Sequence, residues 1–338
     1  MTNHERVFVS YAMSRSIPEI TPVQARKLTH VNIAFANLDG DQLIIKPAMR
    51  ESLYYLQQLR RYNPNLNILL STGGGGDSFM TAQHGFATKP ENIKAFVASS
   101  MALIREFSFD GIDCDWEYPR DATERAQHAE LMLLYREGLD KIAAERGRKC
   151  WLTAAVSCGE LADRIDYAKI MHCMDYFNLM TYDFRWESEL TGHHSNPASP
   201  KEGDQISVHS AIKLFRERNV PNHMLVVGGA FYSHRYDGVQ GGGDGLNKPY
   251  SKYSYGPDYT SVYHQYEGGA EYTKYWDDVA QAPYLFNGSS FITYDDPMSI
   301  RIKAEIVRQE GLRGMMFWEH GGDKTGRLFD AIYDHLMV

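Results

Sequence analysis

Cysteine is scarce, with four in 338 residues, at Cys114, Cys150, Cys158 and Cys173, and no Cys-x-x-Cys spacing. That excludes a disulfide framework and predicts four buried thiols. No apolar run approaches the roughly 20 residues that span a bilayer as a helix, and Met1–Arg6 is polar, with no apolar stretch ahead of a cleavage site. No membrane partner is therefore expected. The expected location is the cytoplasm if the chain is complete, and secreted or periplasmic if it was trimmed. Positive charge is in deficit, 35 Lys and Arg against 43 Asp and Glu, for a net charge of −8. Nucleic acid is accordingly excluded as a partner. Low-complexity sequence is confined to two glycine clusters, Gly73–Gly76 and Gly241–Gly245, and no Pro- or Ser-rich linker marks a domain boundary.

Hydrophobic residues make up 43% of the chain, enough for a substantial core. Aromatics reach 12%, led by 22 tyrosines, whose flat apolar face and polar handle suit stacking on sugar rings. Eight short β-rich runs recur: Val7–Ala12, Val31–Ala36, Ile68–Leu70, Phe109–Asp115, Trp151–Val156, Tyr176–Met180, Met224–Val227 and Gly314–Trp318. Helical stripes lie between them. Thr88 to Glu91 reads as a capping box ahead of Ile93, Phe96, Val97, Met101 and Ile104, and Leu131, Leu134, Tyr135, Leu139 and Ile142 repeat the 3–4 spacing. Strand then helix, eight times, predicts a (β/α)8 TIM barrel, an α/β fold, as a single domain over 1–338. The rhythm breaks once, between runs seven and eight, where 233–290 is expected to form a small inserted lobe.

The segment Phe109 to Pro119 (FDGIDCDWEYP) carries the chemistry. Alternation on a strand sends Asp113, Asp115 and Glu117 to one face and Ile112, Cys114 and Trp116 to the other. In a barrel the acidic face points into the lumen near the C-terminal mouth, where barrel enzymes hold their active sites. Three carboxylates so close repel unless a proton is shared or a metal neutralises them. An exposed acidic edge strand is disfavoured because the opposite face needs burial. Magnesium or calcium is disfavoured by the flanking Trp and Tyr, so no metal is expected. Gly73–Gly76 and Asp77 lack the Lys-Ser/Thr of a P-loop and the spacing of a dinucleotide fold, so no cofactor is expected. His193, His194 and His320 lack the spacing of a zinc site and are expected to be solvated or hydrogen-bonding.

The motif Asp110-x-x-Asp113-x-Asp115-x-Glu117 and its tail Trp116-Glu117-Tyr118-Pro119 resemble the chitinases of glycoside hydrolase family 18. The resemblance continues in order: Tyr11 on the first strand, Phe35 on the second, Ser71-Thr72-Gly73-Gly74 on the third, Met180-Thr181-Tyr182-Asp183 on the sixth, the loop Thr191–His194, Tyr294-Asp295-Asp296 through Ser299, and Trp318-Glu319. Two departures stand out. Gly228–His234 places His234 where the family commonly carries arginine, and His320-Gly321-Gly322-Asp323 follows Trp318-Glu319 where Leu-Asp is frequent.

The resemblance implies a retaining chitinase acting on β-1,4-linked N-acetylglucosamine, in which the substrate's own acetamido oxygen forms an oxazolinium ion. It assigns Glu117 as acid and base, Asp115 to orient the acetamido N–H, Asp113 to hold a shared proton, Tyr182 to donate to the acetamido oxygen and Asp183 to accept from the sugar. It further implies substrate contacts at Tyr11, Phe35, Gly74, Trp116, Met180, Tyr232 and Trp318. The expected partner is chitin or a chito-oligosaccharide, and a monomer is expected. The short lobe implies a shallow groove, with Trp186 and Trp276 the tryptophans left to form a track, partly helped by Tyr253, Tyr255 and Tyr275. Two alternatives share the motifs: an endo-β-N-acetylglucosaminidase acting on N-glycan cores, and a non-hydrolytic chitin-oligosaccharide-binding protein, which the presence of Glu117 argues against.

Overall fold

A computed structural model describes residues 5–40, 42–75, 90–201 and 206–338. The strands are, in chain order, β1 (Val7–Met13), β2 (His30–Ala34), β3 (Asn37–Asp39), β4 (Gln42–Ile44), β5 (Asn67–Gly73), β6 (Gly111–Asp115), β7 (Trp151–Ser157), β8 (Tyr176–Met180), β9 (Leu225–Ala230), β10 (Tyr232–Asp237), β11 (Lys252–Asp258), β12 (Thr273–Asp277), β13 (Ala282–Phe286), β14 (Ser290–Thr293) and β15 (Gly314–Trp318). Eight of them close a parallel barrel in the order β1-β15-β9-β8-β7-β6-β5-β2. These are the eight expected runs, shifted at their ends by a few residues because ladder closure, not propensity, decides where a strand stops.

Two apolar layers hold the barrel. Outside it, alternate strand residues such as Ile33, Leu70, Ile112, Cys114, Leu152 and Phe177 pack against the helices. Inside, Val7, Val9, Tyr11, Tyr176, Val226 and Met316 fill the lumen beneath the mouth. The helix Pro90–Glu106 buries Ile93, Phe96, Met101 and Ile104. The proposed capping box at Thr88 lies outside the described residues. The helix Ala122–Arg146 buries Leu131, Tyr135, Leu139 and Ile142; it starts at Asp121, whose side chain accepts from Glu124 N, and ends at Gly147 in the left-handed region. All four cysteines are free and buried.

The insertion is a five-stranded antiparallel sheet, order β11-β10-β14-β13-β12. It leaves the barrel after β9 and returns through β14, so its strands run from Tyr232 to Thr293, one residue before and three after the expected 233–290. Tyr236, Val239, Tyr284, Phe286 and Phe291 give it a core of its own. Among the described residues three peptides, Ala34–Phe35, Glu117–Tyr118 and Trp318–Glu319, are cis, and each lies at or just past the C-terminal end of a barrel strand.

Asp110, the first carboxylate of the motif, sits at the opposite end of β6. It accepts a hydrogen bond from Ile68 N at 2.8 Å and pairs with Arg60 and with Arg148 at 3.0 Å. It ties the barrel floor and takes no part in the mouth. One residue on, Gly111 admits the β7 backbone, since a Cβ there would stand 2.1 Å from the Trp151 carbonyl oxygen. Gly111→Ala is expected to destabilise by about 3 kcal/mol or more through this overpacking. Gly159→Ala, whose Cβ meets only Ile206 at 3.8 Å, is expected to be nearly neutral. Urea midpoints of the two variants check this, and equal midpoints would contradict it.

Candidate active site

The acidic face of β6 enters the lumen as alternation requires, but its three carboxyls meet three different surroundings. Asp113 is fully buried. Its Oδ2 accepts from the Tyr11 hydroxyl and Ser71 Oγ, both at 2.8 Å, and its Oδ1 from Thr153 Oγ1 at 2.6 Å and Asn178 Nδ2 at 3.1 Å. Ser71 and Thr153 stand beside Asp113 in register on β5 and β7. Burial raises the Asp113 carboxyl, and these four donors pull it back.

Asp115 lies one layer up, 4% exposed, and its Oδ1 is buried with no hydrogen-bond partner. Burial first, then the charges of Glu117 and Asp113, push it well above the carboxylate range. Glu117 reaches the mouth. Burial, with a further push from Asp183 and an opposing pull from the Tyr118 hydroxyl, raises it to about 7. Gly75 lets this carboxyl lie flat against the main chain, because a Cβ there would come within 3.3 Å of Glu117 Oε1.

Facing β6 across the mouth are residues at the ends of β8 and β10. Tyr182 packs edge-on against Tyr232 at 6.0 Å between ring centroids. Asp183 Oδ1 accepts from the Tyr232 hydroxyl at 2.5 Å and from His234 Nε2 at 2.8 Å. Burial alone would raise Asp183, but its contacts with His194 and His234 outweigh that and hold it below the carboxylate range. A buried ion pair supports this wall: Lys303 Nζ lies 2.6 Å from Asp295 Oδ2 and 2.7 Å from Ser195 Oγ. Ser195 Oγ donates to Thr181 O, and Asp295 accepts from Ala230 N, which fixes the ends of β8 and β9.

A cleft of about 930 Å³ opens over these groups. Phe35 and Trp318 stack at 5.6 Å and 22° along one side, and Met180, Tyr182, Asp183 and Tyr232 line the other. Trp186 and Tyr255, 56% and 52% exposed, meet edge-to-face at 5.6 Å and extend the wall outward. Asp115, Glu117 and Tyr118 lie at the centre. Glu319, from the Trp318-Glu319 motif, forms a polar rim with Arg15, Ser16, Glu19 and Lys324, which no sequence motif indicated.

Four expected contacts lie elsewhere. Trp116 is buried behind the barrel wall against His128, as the alternation of β6 dictates for an even-numbered position. Tyr11 is buried under Trp318 with its hydroxyl given to Asp113, so it supports the site from below. Gly74 does not line the cleft; at φ +96° it lets the Phe35 ring pass, where a Cβ would come within 2.5 Å of that ring. Trp276 lines a separate cavity of about 390 Å³ bounded by the lobe. Gly76 and Asp77 lie outside the described residues. None of the three histidines set apart in the sequence is solvated: His193 meets Asp277 at 3.0 Å, His320 meets Ser10 at 3.1 Å, and His194 is fully buried.

Among the described residues, Asp183, His194 and His234 form one set whose potential metal-ligating atoms all lie within 4.8 Å of one another. The two imidazoles stack face to face, centroids 4.2 Å apart and planes 29° apart. Stacked rings do not turn their nitrogens to one point, and the pair is poorly shaped for a metal.

A carboxyl held near neutrality on the floor of an aromatic-walled cleft, at the mouth of a (β/α)8 barrel, is the equipment of an enzyme that cleaves glycosidic bonds. Residues 7–323 match the family Glycosyl hydrolases family 18, and the chain belongs to that family as a chitinase-like glycoside hydrolase. It is 31% identical over 304 residues to Chitinase A1 of Niallia circulans, covering 81% of this chain and 43% of that protein. It is 30% identical to Chitinase 1 of Aphanocladium album, covering 89% and 77%. Among solved structures, an N-acetylglucosaminidase of the same family from Paenibacillus barengoltzii superposes with a TM-score of 0.92 at 37% identity, covering 98% of this chain and all of that one. The class V chitinase of Nicotiana tobaccum gives 0.89 at 28%, covering 99% of each.

The raised Glu117 carboxyl sets a stability test. Its contribution is fully present below its ordinary value near 4.5 and is lost as pH rises through about 7. Glu117→Gln, which cannot ionise, is therefore expected to be more stable than the parent at pH 8 by roughly 2 kcal/mol, with the difference shrinking to near zero by pH 4.5. Chemical denaturation at the two pH values checks this. A variant less stable at pH 8 would contradict it.

Proposed function

We propose that the protein is a retaining hydrolase of β-1,4-linked N-acetylglucosamine oligomers or polymers, with the acetamido group of the substrate as internal nucleophile. The observation that carries this reading is the unequal treatment of the three β6 carboxyls. Asp113, with four donors, suits an anion. The shared proton then belongs to the Asp115–Glu117 pair, which titrates as a unit, and not to Asp113. Glu117, protonated up to about pH 7, gives that proton to the leaving glycosidic oxygen. Asp115, the charged partner whenever the pair's one proton sits on Glu117, uses its unpartnered Oδ1 to take the acetamido N–H and oppose the positive charge of the oxazolinium ion. Glu117, now a carboxylate, then removes a proton from the water that opens the ring.

Opposite, the Tyr182 hydroxyl donates to the acetamido oxygen and Asp183 accepts from the sugar. Trp318, backed by Phe35, floors the reacting sugar, and Met180 and Tyr232 close its side. Relatives named chitinases support the polymer class, and a glutamine variant of the tobacco class V chitinase was solved in complex with NAG4. A second reading, release of single N-acetylglucosamine units, is favoured by the P. barengoltzii protein's name. Chitotetraose separates the two: disaccharide as the main product indicates the first, monosaccharide from the outset the second.

Glu117→Gln is expected to lower turnover of chitotetraose by about 10²–10⁴-fold with binding nearly intact. More than a tenth of the parent rate would remove Glu117 as the acid. In the parent enzyme the rate is expected to fall as pH rises through about 7, where the acid loses its proton. NMR of the fresh product should show the β anomer first. An initial α product, or efficient cleavage of a substrate de-N-acetylated at the reacting sugar, would overturn the mechanism.

A further inference from the structure

The seventh-strand departure at His234 lies in direct contact with the site. His234 is fully buried on β10, and its two ring edges face different partners. Nε2 lies 2.8 Å from Asp183 Oδ1, and Nδ1 lies 3.3 Å from the Arg185 carbonyl oxygen and 3.2 Å from the Tyr253 hydroxyl. A carboxylate can only accept, so Nε2 must carry the hydrogen. At Nδ1 two states fit. An imidazolium donates to Arg185 O, and a neutral ring accepts from Tyr253. Nε2 donates to Asp183 in both, so the interaction does not depend on which form is present.

The surroundings hold the ring in place. His194 stacks on one face at 4.2 Å, and Tyr253 and Tyr255 meet it edge-on at 5.3 and 5.2 Å. His194 Nδ1 stands 3.8 Å from Asp183 Oδ1, too far for a hydrogen bond. Burial, then the neighbouring His234, lower His194 to about 4, so near neutral pH it contributes a flat neutral face. Asp183 itself has φ +57°, a left-handed conformation that a non-glycine residue keeps only when its surroundings hold it.

We propose that His234 is a positioning residue: with Tyr232 it clamps Asp183 through Oδ1 alone, so that Oδ2 is the oxygen presented to a sugar in the cleft. The inference rests on the proposed role of Asp183 in binding the reacting sugar. The clamp converts a carboxylate that could rotate into an acceptor aimed in one direction before substrate arrives. Its effect therefore falls on the rate of the bound complex more than on substrate affinity.

Two polar replacements separate this role from packing. His234→Gln keeps an amide donor near the position of Nε2, whereas His234→Asn keeps one near Nδ1 and leaves Asp183 Oδ1 to Tyr232 alone. On chitotetraose, His234→Gln is expected within about threefold of the parent, and His234→Asn about 10–100-fold lower in kcat with KM changed less than threefold. Asp183→Asn is the reference, and adding His234→Asn to it should cost less than about twofold more, because the acceptor oxygen that the clamp presents is then replaced by an NH2 group. Equal losses in the Gln and Asn variants, or full additivity with Asp183→Asn, would overturn the clamp alone. An Asp183→Asn variant at the parent rate would overturn the proposed role of Asp183 together with it. Activity of the parent that falls with a chelator and returns with zinc would replace the clamp by a metal site.

Discussion

The site depends on one electrostatic conflict: three carboxyls two residues apart, Asp113 and Asp115 on β6 and Glu117 just past its end, all turned toward a barrel mouth whose lumen is already filled with side chains. Left alike, they could not ionise together at modest cost. The barrel resolves this by giving each a different environment. Asp113 receives donors from β1, β5, β7 and β8. Asp115 keeps a buried oxygen with no partner. Glu117 reaches the cleft with its proton held to about pH 7. The gradient from saturated acceptor to poised acid runs along a single strand.

The opposite wall inverts this arrangement. Asp183 is surrounded by donors that keep it charged, and Tyr232 and His234 converge on one of its oxygens. That anion in turn raises Glu117. The second wall therefore helps set the protonation of the first, and the Lys303–Asp295 pair fixes the ends of β8 and β9 that carry the second wall. The cleft is stiff where charge must be placed, and its aromatic extension through Trp186 and Tyr255 is exposed.

The barrel was legible because its strands are short apolar runs separated by striped helices, a pattern that needs no long-range information. The orientation of Asp113, Asp115 and Glu117 followed from alternation alone. The same alternation should have removed Trp116 from the expected substrate contacts, since an even-numbered position on that strand faces the helices. Tyr11 misled for another reason: an inward-facing residue can sit below the mouth as well as at it, and depth in the lumen depends on barrel stagger. Thr153 and Asn178 escaped notice because a lone Thr or Asn on a strand has no motif, although the β5–β6–β7 register places Ser71 and Thr153 beside Asp113. The contact between His234 and Asp183 joins residues about 50 apart in the chain and depends on how the lobe sheet leaves the barrel. Asp110 shows the converse, a motif residue whose work is at the barrel floor.

The central claim is that burial at the barrel mouth, with the Asp183 charge across the cleft, keeps a proton on Glu117 at neutral pH. Infrared difference spectra between the parent and Glu117→Gln, recorded from pH 4 to 9, report that proton through the C=O stretch of the acid. The account predicts a protonated-carboxyl band that disappears with a midpoint near 7. A band already gone by about pH 5, the range of an unperturbed glutamate, would contradict it.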